Sequence, residues 1–291
     1  MCILIDKLLN TPMKNTPDFL CIGMQKAGTT WLAANLGQHP SVWIPPIKEI
    51  HYFDEVHVDP GWHVRRQGAA TNNLKRFNTD NDSIPLSDKA VIEMAFWQHL
   101  EQKDINDNWY ESIWSFANNS DNKLLGEMTP DYSIIPLSGV EHVHKLAPNV
   151  KIVVLIRDPI ERTWSSARMY AKEQGIDPLQ CYKEQFIIDR SKIANMFEKW
   201  EHFFPKEQFF IAFYEDVAMR PYWLLEAVCS FIGVDFDQNY FLHANKKVHV
   251  GKSSEMPDTV LDFYKELFLE DISFARDRFK NYATTWYNTY Y

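Results

Sequence analysis

The chain has no apolar run approaching the ~18 residues of a membrane-spanning helix, and its opening MCILI stretch stops at Asp6. That stretch also lacks a basic leader and a small-residue cleavage site, so no signal peptide is expected. Cysteine is scarce. Cys2, Cys21, Cys181 and Cys229 lie far apart and form no CxxC pair, which argues against a disulfide framework and against a zinc knuckle. A reducing cytoplasm is the expected compartment. Positive charge is in deficit, with 30 Lys and Arg against 39 Asp and Glu, a net charge of −9. Such a chain repels nucleic acid, whose binding needs phosphates neutralised by clustered cations, so nucleic acid is not an expected partner. A local basic pocket for a small anion stays compatible with that total. Internal repeats and Gly/Ser linkers are missing too, and residues 1–291 are expected to form a single domain.

What is present is an ordinary globular composition, 45% apolar and 24% charged, long enough to bury about three quarters of its unfolded surface. Aromatics reach 14% with ten tryptophans, which serve either core packing or an aromatic-lined acceptor pocket. Residues 18–24 (DFLCIGM) read as a buried strand and Thr29 to Gln38 as a helix, with QKAG between them. Residues 48–54 (KEIHYFD) read as extended, which would put Glu49, His51 and Phe53 on one face. Residues 60–123 are polar and rich in Asn and Asp, with a helical piece near Trp109 to Phe116; they read as an insertion over the site. Residues 150–156 (VKIVVLI) are a β-branched run of the kind found in parallel sheets. Asp158 suits the N-cap and Pro159 the first position of a helix that follows. A helix over 192–204, a strand over 208–213, a helix over 222–232 stopped at Gly233 and a last helix over 257–269 complete the pattern. Strands alternating with helices imply an α/β fold, a central parallel sheet flanked by helices.

Two segments carry chemistry. GMQKAGTT (Gly23 to Thr30) has the glycine spacing of a phosphate-binding loop, but Thr29 stands where a nucleotide triphosphatase has its lysine, and Lys26 precedes Gly28 by two residues. Such a loop can cradle a phosphate through backbone N–H groups and the Thr29 and Thr30 hydroxyls, without equipment for a Mg²⁺-bound triphosphate. IRDPIERTWSSARMY (Ile156 to Tyr170) places Arg157 at the C-terminal end of a buried strand, where open α/β sheets bind ligands. An ion pair of Arg157 with Asp158 or Glu161 is the structural alternative. Arg162, Arg168 and Trp164 read as surface charge and helix packing.

GMQKAGTTWL, HPSVWIPPIKEIHYFD, GEMTPDYSIIP and VLIRDPIERTWSSARMY, in that order, resemble a sulfotransferase dependent on 3′-phosphoadenosine 5′-phosphosulfate (PAPS), of the heparan-sulfate-type and bacterial branch. The resemblance runs from about residue 18 to the C-terminus and weakens across 60–123. It implies a P-loop-like sulfotransferase fold, with Lys26, Ala27, Gly28, Thr29 and Thr30 around the 5′-phosphate. Lys26 would also neutralise the leaving oxygen, and Arg157 and Ser165 would grip the 3′-phosphate. Gly251 and Lys252, in KVHVGKSSEMP, would add contacts from a late loop. Glu49 matches the carboxylate that activates the acceptor, with His51 as rival base or orienting partner. Met128 stands where many heparan-type relatives carry a lysine, and Glu127 either hydrogen-bonds within the site or holds the Thr129-Pro130 turn. The expected activity is sulfation of a hydroxyl or an amine or guanidine nitrogen of a small-molecule acceptor, such as a natural product of secondary metabolism. Adenosine 3′,5′-bisphosphate would be released without a metal. Trp62, Trp97, Trp109 and Trp114 would line or cover the acceptor. A small-molecule kinase needing ATP and Mg²⁺, and a nucleotide-binding protein without activity, are the rival readings.

Overall fold

The computed structural model describes residues 15–77, 87–117, 123–246 and 255–291. Strands β1 (Phe19–Gly23), β2 (Val42–Trp43), β3 (Leu124–Met128), β4 (Lys151–Ile156) and β5 (Phe209–Phe213) form a parallel sheet in the order β2-β3-β1-β4-β5. Every residue of β1 is buried, because helices cover both faces, and its sequence is accordingly apolar without alternation. Phe19 lies between Gly126 of β3 and Lys151 of β4, and its ring occupies the space a side chain at Gly126 would need.

Chain order sets where a ligand fits. From β1 the chain leaves toward β2 and β3, whereas from β4 it continues outward to β5. The order reverses between β1 and β4, and such a reversal opens a crevice beyond the carboxyl ends of the two strands. Helix α1 (Thr29–Leu36) follows β1 there. Across 52–113 come α2 (Tyr52–His57), α3 (Trp62–Leu74), α4 (Asp88–Leu100) and α5 (Asp107–Ile113). Buried Arg66 of α3 fastens this group: its guanidinium donates to the carbonyls of Leu100 and Gln102 and to Glu55, and lies 4.6 Å from the Trp109 ring. Next come α6 (Leu137–Leu146) and α7 (Pro159–Gln174); Asp158 caps α7 by accepting from Ile160 N at 2.9 Å and Glu161 N, with Pro159 at the first position, as expected. The remaining helices are α8 (Gln185–Asp189), α9 (Ile193–Glu201), α10 (Tyr214–Met219), α11 (Pro221–Ile232), α12 (Asp258–Phe279) and α13 (Asn281–Tyr290). Helix α11 stops at Gly233, which takes the left-handed conformation (φ 95°) that glycine tolerates best.

Several expectations need correction. KEIHYFD is not extended: it pairs with no strand, and α2 begins inside it at Tyr52. Trp97, Trp109 and Trp114 are buried among other aromatic side chains as core, so of the four tryptophans only Trp62 reaches the expected site residues. Arg162 is not surface charge; it is fully buried in α7, donating to Ser191 Oγ and the Ile187 carbonyl, while Trp164 packs in the core as expected. The last expected helix runs ten residues further, to Phe279, and α13 follows it. Gly251 and Lys252 lie outside the described residues, as does Cys2.

Candidate active site

The loop after β1 folds back on itself. Lys26 (φ 69°) and Gly28 (φ 97°) are left-handed, and this turn delivers the chain to the N-terminus of α1 with Ala27 and Thr29 buried and Thr30 half-buried. Gly28 is required there twice over, since a Cβ would also meet Val217 Cγ2 of α10 at 3.0 Å. Arg157 arrives from the end of β4, one strand away. Its Nη1 donates to the Lys26 carbonyl at 3.0 Å, its guanidinium lies 4.4 Å from the Tyr214 ring, and its nearest carboxylate, Glu161, is 3.9 Å off. The Lys26 ammonium contacts Met169 Sδ at 3.7 Å; burial lowers its pKa, and the charges of Arg157, Arg162 and Arg168 lower it further. Like charges crowded this way are relieved by an arriving anion, which the amides at the start of α1 also favour. Ser165 of α7 is half-buried, and Ser166 beside it donates to Gln25 Oε1 at 3.1 Å, tying α7 to the loop. Sequence reasoning passed over Met169 and Tyr214; an apolar or neutral residue gives no sign in sequence that it backs a cation.

The second half of the site is built from 48–54. Glu49 (φ 71°) and His51 (φ 58°) both take left-handed backbone, an uncommon conformation for residues with side chains. Hydrogen bonds from another strand's end hold it. Ile50 N donates to Thr129 Oγ1 at 3.2 Å and Tyr52 N to the Tyr132 hydroxyl at 3.2 Å. Both hydroxyls donate in turn to the buried Glu127 carboxylate, which also accepts from Tyr110 at 2.7 Å. Burial raises the pKa of Glu127, and the three hydroxyls offset part of that rise. Glu127 therefore acts through the turn at Thr129, the second of its two expected roles.

This frame brings Glu49 and His51 together. Glu49 Oε2 lies 3.3 Å from His51 Nε2, its Oε1 pairs with Lys48, and its side chain is 32% exposed. The His51 ring is buried, stacks on Trp62 at 3.7 Å between centroids, and places Nδ1 2.6 Å from Asp54 Oδ2. Burial raises the pKa of Asp54 and His51 opposes the rise; the other Asp54 oxygen is buried without a hydrogen-bond partner. Lys48 is pushed down to about 8 by burial, which the Asp131 carboxylate opposes only in part. Asp131 approaches the same ring: His51, Asp54 and Asp131 gather potential metal-ligand atoms within 4.8 Å of one another. Those groups are already engaged, however, Asp131 by a two-pronged bond from Arg190 at 2.8 and 2.9 Å, and His51 by Asp54. Burial favours the protonated Asp131, but Arg190 outweighs it and holds that carboxyl below the usual range.

A phosphate-type cradle with cations in excess and a carboxylate–imidazole–carboxylate chain thus stand at the same end of one parallel sheet. A profile of the sulfotransferase family matches residues 17–238, taking in both halves. The chain belongs to the sulfotransferase family. Carbohydrate sulfotransferase 15 of Homo sapiens is 25% identical over 264 residues, covering 75% of this chain and 44% of that protein. The membrane-associated sulfotransferase kil1 of Dictyostelium discoideum is 25% identical over 181 residues, covering 61% of this chain and 28% of that one. This sulfotransferase therefore spans less than half the length of these relatives. Among solved structures, a sulfotransferase from Alicyclobacillus acidocaldarius shares the fold with a TM-score of 0.61 at 18% identity, covering 93% of this chain and 98% of its own. The sulfotransferase domain of the Synechococcus PCC 7002 olefin synthase follows at 0.52 and 18%, covering 86% and 84%. Among the described residues no helix is long and apolar enough to cross a membrane.

Proposed function

We propose that this sulfotransferase carries the sulfuryl group of PAPS to a hydroxyl, or to an amine or guanidine nitrogen, of a small-molecule acceptor and releases adenosine 3′,5′-bisphosphate. The observation that carries this reading is that the Lys26–Arg157 pocket and the Glu49–His51–Asp54 chain stand at the same, carboxyl end of the parallel sheet.

The donor fits the residues present, since the crowding of Lys26 by three guanidinium charges calls for an anion. Bound there, it supplies an activated sulfuryl group on a phosphate leaving group. Amides of Gly28, Thr29 and Thr30 and the two threonine hydroxyls hold the 5′-phosphate beside Ala27, whose own amide donates to the Met24 carbonyl, and Arg157 and Ser165 hold the 3′-phosphate. Gly251 and Lys252 are assigned to the donor on resemblance. Lys26 sets its positive charge against the oxygen on which negative charge grows, so that electrostatics and positioning supply most of the catalysis. Glu49 is the base, because it is the exposed end of the chain while His51 is buried under Trp62 with both ring nitrogens engaged. A proton taken by Glu49 is shared with His51, whose developing charge Asp54 stabilises. Lys26, Arg157 and the loop amides supply the positive field, so this route needs no metal.

The acceptor class follows from charge. The net charge of −9 and Met128 in the place of a lysine disfavour a polyanionic chain and favour a neutral or cationic small molecule, such as a natural product of secondary metabolism. The buried, unpaired thiols of Cys21, Cys181 and Cys229 support a reducing cytoplasm.

Calorimetric and thermal-shift titration with adenosine 3′,5′-bisphosphate, with ATP–Mg²⁺ in parallel, tests the donor assignment. The bisphosphate at a hundred times its Kd should stabilise the fold by about 2.7 kcal/mol. Stabilisation by ATP–Mg²⁺ alone would overturn the reading in favour of a kinase.

A further inference from the structure

Helix α13 lies beyond residue 238, where the family match ends, yet it reaches both elements that aim Arg157. The Tyr290 hydroxyl donates to Asp158 Oδ2 at 2.6 Å, and Asp158 is the residue after Arg157, whose other oxygen caps α7. Trp286 Nε1 donates to Glu215 Oε1 at 2.7 Å, and Glu215 is the residue after Tyr214, whose ring carries the Arg157 guanidinium. The rings of Tyr282 and Trp286 pack on Phe213 at 5.4 and 5.5 Å, fixing the end of β5 from which Tyr214 and Glu215 depart. On its other side the same α10 turn presses Tyr214 and Val217 against Gly28. Glu215 is within electrostatic reach of Arg157, and its second oxygen is buried without a partner.

We propose that α13 is a positioning element of the donor site: Trp286 and Tyr290 fix the aim of Arg157 and withhold the Glu215 carboxylate from it, so that selectivity for a 3′-phosphate depends on the C-terminal helix. The proposal rests on the assignment of Arg157 to the 3′-phosphate. A guanidinium that closed on Glu215 would lose its charge for the ligand and its geometry for a two-pronged contact. Trp286 tethers the Glu215 side chain through Oε1, which holds the carboxylate as a whole away from Arg157, and Tyr290 holds Asp158 through the oxygen that does not cap α7, which steadies the backbone next to Arg157.

The test measures Kd for adenosine 3′,5′-bisphosphate and for adenosine 5′-phosphate, which lacks the 3′-phosphate, on the full chain. Arg157→Ala should reduce the preference for the bisphosphate by about a hundredfold, the scale of a lost charge-assisted contact. Trp286→Phe and Tyr290→Phe should each reduce it about five- to tenfold through weaker bisphosphate binding, with adenosine 5′-phosphate unchanged. Adding Glu215→Gln to Trp286→Phe should restore the preference, because a neutral amide does not compete for Arg157. Equal loss for both nucleotides, or an unaltered preference in the α13 variants while Arg157→Ala loses it, overturns the role of α13 and leaves the Arg157 assignment standing. A preference that survives Arg157→Ala overturns that assignment and the proposal with it. Far-UV circular dichroism and the retained adenosine 5′-phosphate affinity show that each variant is folded.

Discussion

The two halves of the site are built by different means. The cradle of the donor half is a local device: one loop, a glycine and a helix start supply it, and Arg157, bonded to the Lys26 carbonyl, is what distant elements must aim. The acceptor half has almost no local support. Glu49 and His51 sit in left-handed backbone, and Thr129 and Tyr132, both hydrogen-bonded to Glu127 at the end of β3, grip the amides of Ile50 and Tyr52. A local device tolerates change elsewhere, whereas a geometry imposed through buried hydrogen bonds fails when any one of them is lost.

That contrast has measurable consequences. Glu49→Gln should cut single-turnover rate on the order of a thousandfold with the bisphosphate Kd unchanged, whereas Lys26→Ala should cost several hundredfold and also weaken the donor. A nearly unaltered Glu49→Gln rate would shift the base to His51. Glu127→Ala leaves three hydroxyls without their acceptor and should cost about 3 kcal/mol in urea denaturation, with turnover falling while bisphosphate affinity holds. Loss of donor affinity in parallel would mean that the halves are not independent.

The donor half has a pH signature of its own. Burial pushes Asp158 up to about 6, above the ordinary value near ~4, so between these values the native state holds a proton that the unfolded chain has released. Stability therefore falls as pH rises through that window, by about 3 kcal/mol. Asp158→Asn, which still caps α7, should flatten the slope between about pH 4 and 6 in urea denaturation. A slope that persists would place its origin in another group. The smallest effect is expected at Asp54→Asn: about tenfold in kcat, the scale of one charge-assisted hydrogen bond, with an altered pH–rate profile and an unchanged donor KM. An unaltered pH profile would show that Asp54 merely fills space.

The same division explains what could be read in advance. The β1–loop–α1 unit, β4, the cap at Asp158 and the stop at Gly233 all agree with expectation, because each depends on residues within a few positions of one another. KEIHYFD was expected to be extended, with alternation aligning Glu49 and His51. The two side chains do meet, but through left-handed backbone at both Glu49 and His51 that no alternation rule contains. Asp54 and Glu127 follow the same logic: a carboxylate three residues beyond a histidine is common, and only its burial beside His51 Nδ1 gives it a role. Arg162 looked like one more charge on a helix of charges, and only packing against Ser191 and Ile187 puts it inside.

Hydrophobic runs, glycines and cap residues specified the parallel sheet, its order of elements and the cationic loop, since these depend on backbone conformation and short-range pattern. The proton-accepting chain, the withdrawal of three tryptophans into the core and the reach of α13 to Asp158 and Glu215 were decided by contacts between residues far apart in the chain. Local pattern records which way a backbone turns; only folding sets which distant side chain stands at hydrogen-bonding distance from it.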